Sequence, residues 1–172
     1  MEVNILEVGK LDTNCYIITN NNHALIIDPG DEADKIISFI EDKKLIVDEI
    51  IITHNHFDHI GALNEVKEKF NVPVKDKNNL EEKEYKSTNF TYKVIYTPGH
   101  TNDSITLYFE EENIMFVGDF IFENGIGRTD LPTGNMKEMI NSLYKMKKYY
   151  KDIIVFPGHG NNTILGKELL KW

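Results

Sequence analysis

Four short polar segments of the chain each come directly after a run of β-branched residues. They are THNHFDH at residues 53–59, TPGH ending at His100, VGD ending at Asp119, and PGHG around His159. Together they hold five of the six histidines. Residues just past strand ends can converge on one edge of a sheet, where loops gather functional groups. The pattern therefore predicts a fold that brings these segments to one site, and His23, which precedes a strand, is interpreted as structural.

The spacing of apolar residues predicts a chain of alternating strands and helices. Strands are predicted at residues 3–8, 15–19, 24–27, 50–53, 94–97, 105–109, 114–117 and 153–156. Helical spacing predicts three helices around residues 36–40, 60–66 and 136–144, the last with Asn135 as N-cap and Glu138 completing a capping box. This order indicates a mixed sheet, or two sheets, covered by helices. Residues 75–92 are polar and predict a loop or an edge hairpin that could act as a mobile wall.

Length, charge and cysteine usage narrow the class of protein. The 172 residues show no shift in composition, so a single domain over residues 1–172 is expected. No apolar run approaches the ~20 residues of a membrane span, and the N-terminus lacks the pattern of a secretory signal. The net charge of −9 argues against nucleic-acid and anionic membrane partners. Cys15 is the only cysteine, which fits a reducing cytoplasm and excludes multi-cysteine zinc sites.

The segment THNHFDH offers ligands for two cations. In an extended segment His54 and His56 point the same way and can bind one cation, while Asp58 and His59, at the start of the next helix, can turn toward a second. Imidazole and carboxylate groups suit Zn²⁺, Fe²⁺ or Mn²⁺, so the residues do not fix the metal. Two cations at the ~3.5–4 Å spacing of two-metal hydrolases need a shared ligand, and Asp119 is the natural bridge.

The order HxHxDH, PGHT, VGD and PGHG resembles the metallo-β-lactamase superfamily, and the resemblance spans nearly the whole chain. DPG at residues 28–30, GRTD at 127–130 and GHG followed by ILGKE look most like the small glyoxalase II-like hydrolases. The resemblance implies an α+β fold, an αββα sandwich of two mixed β-sheets packed face to face with helices outside. It implies that a first metal is bound by His54, His56 and His100. A second metal would be bound by Asp58, His59 and His159, and Asp119 would bridge the two metals.

Asp28 has two interpretations. Its Asp-Pro-Gly context is typical of a turn that ends a strand. In the family, the matching aspartate supports the site from beneath, as outer carboxylates do when they orient ligand imidazoles. We therefore expect Asp28 to lie behind the ligands and not to bind metal itself.

The expected activity is metal-dependent hydrolysis of a small-molecule thioester, such as a hydroxyacyl-thiol conjugate. Two divalent metal ions, Zn²⁺ first among the candidates, would provide a hydroxide, and Asp58 would orient it for attack. Arg128 could bind a substrate carboxylate or form an ion pair with Asp130. The chain departs from glyoxalase II in two ways: it ends soon after His159 without the C-terminal helical domain, and Asn161 replaces a substrate-contacting tyrosine. Use of glutathione is therefore open.

Two alternatives remain from the sequence. The first is a persulfide dioxygenase, a relative that uses one iron with two histidines and an aspartate. That family shares the GRTD segment, and PGHTN of this chain also resembles it. The presence of all seven ligands of a binuclear site favours the hydrolase. A non-catalytic metal-binding domain that has kept the ligands is the other alternative, and a groove blocked by residues 75–92 would support it.

Overall fold

A computed structural model describes all 172 residues. Its first sheet has five strands, which are paired in chain order. The first three form an antiparallel meander, and the last two join in parallel. The strands are β1 (Glu2–Val8), β2 (Thr13–Asn20), β3 (His23–Ile27), β4 (Ile46–Ile51) and β5 (Val74–Lys75).

The second sheet has six strands and is also mixed. Its members are β6 (Glu84–Lys86), β7 (Thr91–Tyr96), β8 (Ile105–Phe109), β9 (Ile114–Gly118), β12 (Ile154–Pro157) and β13 (Thr163–Ile164). The spatial order is β13-β12-β9-β8-β7-β6, and only the β12–β9 pair is parallel. A separate two-stranded ribbon consists of β10 (Ile121–Phe122) and β11 (Gly125–Ile126).

Five helices complete the chain: α1 (Ala33–Asp42), α2 (Phe57–Ile60), α3 (Leu63–Phe70), α4 (Met136–Met146) and α5 (Leu165–Leu169). None of them is long and apolar enough to cross a membrane. The predicted N-cap of α4 is confirmed, because the Asn135 side chain accepts hydrogen bonds from the backbone N–H groups of Lys137 and Glu138. The reciprocal half of the capping box does not form. The N–H of Asn135 donates instead to the carbonyl of Gly99.

The core consists of three apolar layers, and strand β2 shows how alternation builds them. Tyr16 and Ile18 point between the two sheets, into a cluster that includes Leu107 and Phe116 of the second sheet. Cys15 and Ile17 point the other way, into the layer under α1 and α3. A third layer packs the outer face of the second sheet against α4 and α5. Helices therefore cover both outer faces, and the predicted αββα sandwich of two mixed sheets is confirmed.

The structure corrects one predicted helix and several boundaries. The helix predicted over residues 60–66 is two helices, α2 and α3, because the N–H of Ala62 donates to the carbonyl of Pro29 instead of continuing a helical ladder. Strand β4 ends at Ile51, two residues before the predicted end. The shortest strands, β5, β6, β10, β11 and β13, were not predicted individually.

The segment at residues 75–92 contains an edge hairpin, as the sequence indicated. Strand β6 pairs with β7 and forms the outermost strand of the second sheet. Leu80 and Phe90 are buried in the layer between the sheets, so the segment is anchored at two points along its length.

Candidate metal centre

Loops that follow four strands carry the predicted ligands to one place. His54 and His56 follow β4 of the five-stranded sheet, whereas His100, Asp119 and His159 follow β7, β9 and β12 of the six-stranded sheet. The centre therefore lies at one end of the sandwich, where both sheets contribute. The prediction that these segments converge is confirmed.

The first set of ligands, which we call the three-histidine group, comprises His54, His56 and His100. Their metal-binding atoms lie within 4.8 Å of one another. His56 Nδ1 and His100 Nε2 are 2.9 Å apart. His54 and His56 flank a single residue in an extended segment, and their ring centroids are 4.8 Å apart. Three imidazoles that face one point form a set of donors suited to a divalent cation.

The second set, the aspartate-histidine group, comprises Asp58, His59 and His159. Asp58 Oδ2 lies 3.2 Å from His159 Nε2 and 3.6 Å from His59 Nε2. Asp58 and His59 occupy the first turn of α2, as predicted, with His56 at its N-cap position. The short helix thus places two donors beside His159.

Asp119 stands between the two groups. Its Oδ2 lies 3.4 Å from His100 Nε2 and 3.6 Å from His159 Nε2. Its Oδ1 lies 3.4 Å from His59 Nε2. One carboxylate therefore faces members of both groups, which is the placement that a shared ligand requires.

Outer hydrogen bonds orient three of the imidazoles. The Nδ1 atoms of His100 and His159 lie 2.8 Å and 2.9 Å from the carbonyl oxygens of Arg128 and Leu11. Carbonyl oxygens only accept hydrogen bonds, so these Nδ1 atoms are donors. His59 Nδ1 lies 2.9 Å from Asp28 Oδ2. Each contact directs the Nε2 atom of the ring toward the centre, in the manner of outer partners at metal sites.

Asp28 lies beneath the centre, as its interpretation as a supporting residue requires. It adopts a positive φ of 52° and accepts hydrogen bonds from the backbone N–H and the hydroxyl of Thr53. Its conformation is left-handed, which aspartate tolerates better than most residues. The buried carboxylate thus connects His59 with Thr53, the residue that precedes His54.

Gly158, the glycine before the histidine in PGHG, lies too close to the centre for a side chain to fit. A Cβ atom at this position would stand 2.2 Å from Asp119 Oδ1 and 2.7 Å from the His59 ring. Both distances are far below van der Waals contact. Only glycine lets the loop after β12 approach the shared carboxylate this closely.

The donor atoms fit cations better than they fit one another. His54 Nε2, His59 Nε2 and Asp119 Oδ1 are buried without a hydrogen-bond partner. Such unpartnered buried atoms are costly and call for an explanation. All three point into the cluster of neighbouring donors, where a divalent cation would satisfy them. The cluster can therefore hold divalent metal.

Electrostatics separate the two groups. Burial, reinforced by the neighbouring His59, lowers the pKa of His54 well below its usual value, and burial beside His100 also lowers the pKa of His56. Burial would likewise lower the pKa of His59 and His159, but the facing carboxylates outweigh it and raise each pKa to about 10. In the cation-free protein, His59 and His159 therefore carry protons at neutral pH, whereas His54 and His56 do not.

The carboxylates of the centre stay ionised. Burial opposes ionisation of Asp58, yet hydrogen bonding with His159 and the charge of His59 lower its pKa to about 2. The same two histidines hold the pKa of Asp119 well below its usual range, despite burial. Both side chains are therefore available as anionic ligands at neutral pH.

Two residues singled out by the sequence lie outside the centre. The Arg128 side chain forms a two-point ion pair with Asp130, with both N–O distances 2.8 Å. This is one of its two expected roles. Asn161 donates to Glu123 and lines a separate groove with Gly160.

Sequence reasoning missed several residues that support the centre. Thr13 donates its hydroxyl to Asp58 Oδ2 at 3.1 Å. Asp103 accepts hydrogen bonds from the backbone and the side chain of Asn55, between the first two histidines. Both contacts join residues more than forty positions apart, so no local pattern indicates them. The only indication in the sequence is that Asp103 lies two residues after the TPGHT segment.

Comparisons with known proteins identify the family of the chain. The model of the metallo-beta-lactamase superfamily matches residues 8–83 and 74–159. The chain belongs to this superfamily. A superfamily relative from Haemophilus influenzae, named hydroxyacylglutathione hydrolase GloC, is 32% identical over 98% of this chain and 95% of its own.

Two solved structures of the superfamily fold match nearly the whole chain. BLEG-1, described as a B3 metallo-beta-lactamase, superposes with a TM-score of 0.92 at 30% identity, covering 98% of this chain and 96% of its own. TTHA1623, solved in a di-iron-bound form, gives a TM-score of 0.87 at 29% identity over 95% and 96% of the two chains. The fold and the superfamily are thus established together.

Proposed function

We propose that the chain is a thioester hydrolase of the hydroxyacylglutathione hydrolase type with a binuclear metal centre. The observation that carries the proposal is the position of Asp119, whose carboxylate faces both groups of ligands at 3.4–3.6 Å. The relative from Haemophilus influenzae supports the reaction class by its name. We propose Zn²⁺ as the metal, with Fe²⁺ and Mn²⁺ as the alternatives that the same donors accept. The di-iron form of TTHA1623 keeps iron among them.

Thioester hydrolysis joins the oxygen of water to the acyl carbon, breaks the bond from that carbon to sulfur, and yields a carboxylic acid and a thiol. Two bound divalent cations would lower the pKa of a water toward 7 and polarise the thioester carbonyl. The residues present supply the geometry. Three histidines and Asp119 would hold one cation, and the aspartate-histidine group with Asp119 would hold the other.

Asp58 has the features of a group that orients the attacking oxygen. Its pKa is lowered to about 2, so it remains an acceptor at neutral pH. The hydroxyl of Thr13 fixes one of its oxygens. The leaving thiol has a pKa near 8.5 and departs without a strong general acid. This chain therefore needs no serine or cysteine nucleophile for the reaction.

We propose a small-molecule thioester as substrate and the cytoplasm as the place of action. The single cysteine, Cys15, is buried and forms no disulfide, which fits a reducing compartment. Arg128 is a weaker candidate for substrate binding than the sequence indicated, because Asp130 already pairs with it.

One preparation tests the proposal against both alternatives. Metal content is measured first, followed by hydrolysis of S-lactoylglutathione and by oxygen uptake with glutathione persulfide. We expect two metal ions per chain and thioester turnover that is lost in Asp119→Ala and kept in the surface control Asp34→Ala. A single iron with persulfide-dependent oxygen uptake would establish the dioxygenase instead, and bound metal without either activity would establish a binding domain.

A further inference from the structure

A polar groove of about 700 Å³ opens beside the three-histidine group, with His56 in its wall. Leu131 is the only hydrophobic residue among the ten that line it. A smaller groove of about 250 Å³ opens on the other side, beside Asp58, and includes the exposed side chains of Leu11 and Phe57. A thioester has a small acyl part and a larger thiol carrier. By size and polarity, the carrier suits the groove beside His56.

Lys77 provides the only Lys or Arg charge in the wall of this groove. Its ammonium donates to the carbonyl of Asn102 at 2.6 Å and lies 5.0 Å from the centre of the Tyr96 ring. Neither partner is a carboxylate, and Lys77 takes part in no ion pair within 4.0 Å. The positive charge is thus positioned by a carbonyl and an aromatic face but is not neutralised.

The backbone around Lys77 is held in place. Asp76 accepts hydrogen bonds from the backbone and side chain of Asn78, and the N–H of Leu80 donates to the Asp76 carbonyl. The Leu80 side chain is buried between the sheets. A fixed loop loses less conformational freedom when a ligand binds, so binding of an anion by the Lys77 ammonium costs less entropy.

The other charged side chains nearby have contacts of their own. Asp103, the acid of the groove, keeps its negative charge but is directed toward Asn55, whose backbone and side-chain N–H groups donate two hydrogen bonds to it. Arg128 is paired at two points with Asp130. In a chain of net charge −9, a groove cation without an acidic partner is therefore the group that can select an anion.

We propose that Lys77 is a specificity-determining residue that binds an oxyanion, a carboxylate or a phosphate, on the thiol carrier of the substrate. The inference rests on the proposed thioester hydrolase function. It assigns recognition of the carrier to the loop between β5 and β6 and not to Arg128. The loop at residues 75–92 then contributes a wall of the binding site.

Binding without turnover tests the inference separately from the activity. The probes are two S-(2-oxopropyl) thioethers, which cannot be hydrolysed, one of N-acetylcysteine and one of N-acetylcysteamine; they differ only in a carboxylate. Titration calorimetry with the metal-loaded protein should show roughly fivefold tighter binding of the carboxylate probe, the scale of an exposed ion pair. Lys77→Met, which keeps an apolar stem over Tyr96, should abolish that preference. The control Lys86→Met removes an unpaired surface charge outside the groove and should keep it.

A third probe, the same thioether of phosphopantetheine, distinguishes the two sources of the oxyanion. A larger loss for this probe than for the carboxylate probe in Lys77→Met would identify phosphate as the preferred group. Equal binding of the charged and uncharged probes to the wild type, or a preference that survives in Lys77→Met, would overturn the inference. For hydrolysis of the matching thioesters, Lys77→Met should raise the KM of the charged substrate and leave kcat unchanged. A protein that binds the probes with this preference but hydrolyses none of the esters would contradict the proposed function alone.

Discussion

The two halves of the metal centre differ in the charge that surrounds their histidines. The three-histidine group contains no carboxylate, and burial lowers the pKa of His54 and His56. Around the aspartate-histidine group, the carboxylates of Asp28, Asp58 and Asp119 raise the pKa of His59 and His159 to about 10. A cation that binds His54 and His56 meets unprotonated imidazoles, whereas one that binds His59 and His159 must displace protons. One end of the sandwich thus holds two groups of candidate ligands that differ in the charge around them.

The largest effect is expected where the two halves meet. Asp119→Ala removes the carboxylate that faces both groups of candidate ligands. We expect thioester hydrolysis to fall on the order of 10³-fold, the scale of losing a charge-stabilising group. Steady-state kinetics and metal analysis check this, with circular dichroism as the control for folding. A variant that keeps two metals and full activity would contradict the shared role of Asp119.

Acid should separate the halves. His59 and His159 have a pKa raised to about 10 without metal, so both are protonated across the range from pH 8 to pH 5. Metal binding to their group must release up to two protons, and its apparent affinity should fall up to about 100-fold per pH unit as the pH drops. His54 and His56, whose pKa is lowered, should release far fewer protons when they bind metal over the same range. Calorimetric titration with Zn²⁺ in buffers of different ionisation enthalpy measures the protons released at each step. Equal proton release at both steps would remove the distinction between the halves.

Asp28→Asn should weaken the aspartate-histidine half more than the three-histidine half. The change replaces the carboxylate that orients His59 Nδ1 by an uncharged amide, so metal affinity of the aspartate-histidine group should fall about 10- to 100-fold. The amide oxygen can still accept the hydrogen bond from the Thr53 N–H, so the three-histidine group should lose less affinity. Asp48→Asn is the matched control, because Asp48 contacts the Nδ1 of His23, an imidazole outside the centre. Equal losses at the two sites would show that Asp28 acts on the fold as a whole, and thermal unfolding of both variants separates these outcomes.

Asp103→Ala should have a smaller effect on the opposite half. It frees Asn55, which lies between His54 and His56, from two hydrogen bonds. We expect roughly a fivefold loss of metal affinity at the three-histidine group, the scale of one or two hydrogen bonds in a partly exposed loop. Asp103→Asn keeps an acceptor and should restore most of the affinity. If alanine and asparagine behave alike, the contact to Asn55 has no role in positioning the ligands.

Much of the fold could be predicted because its central strands are buried on both faces. Strands β8 and β9 are fully buried runs of β-branched and aromatic residues, and the sequence located both within one residue. The two-residue strands β10 and β11 are too short to show a period. The division between α2 and α3 depends on the carbonyl of Pro29, a tertiary contact that helical spacing does not register.

The ligands of the centre were predictable for a different reason from the groups that orient them. Histidine and aspartate carry their chemistry in the residue type, and each one followed a strand. The carbonyls of Leu11 and Arg128, which fix His159 and His100, belong to the backbone, so any residue there could supply them. The role of Lys77 likewise depends on what its charge lacks, a carboxylate partner, which only the folded chain reveals.

The most direct test of the two-metal centre is an anomalous-diffraction crystal structure of the Zn²⁺-loaded protein. Two peaks are expected about 3.5–4 Å apart, one among the Nε2 and Nδ1 atoms of the three-histidine group and one within the aspartate-histidine group, with Asp119 between them. A single peak bound by two histidines and Asp119, with the aspartate-histidine group still free of metal at saturating Zn²⁺ and pH 8, would contradict the binuclear centre.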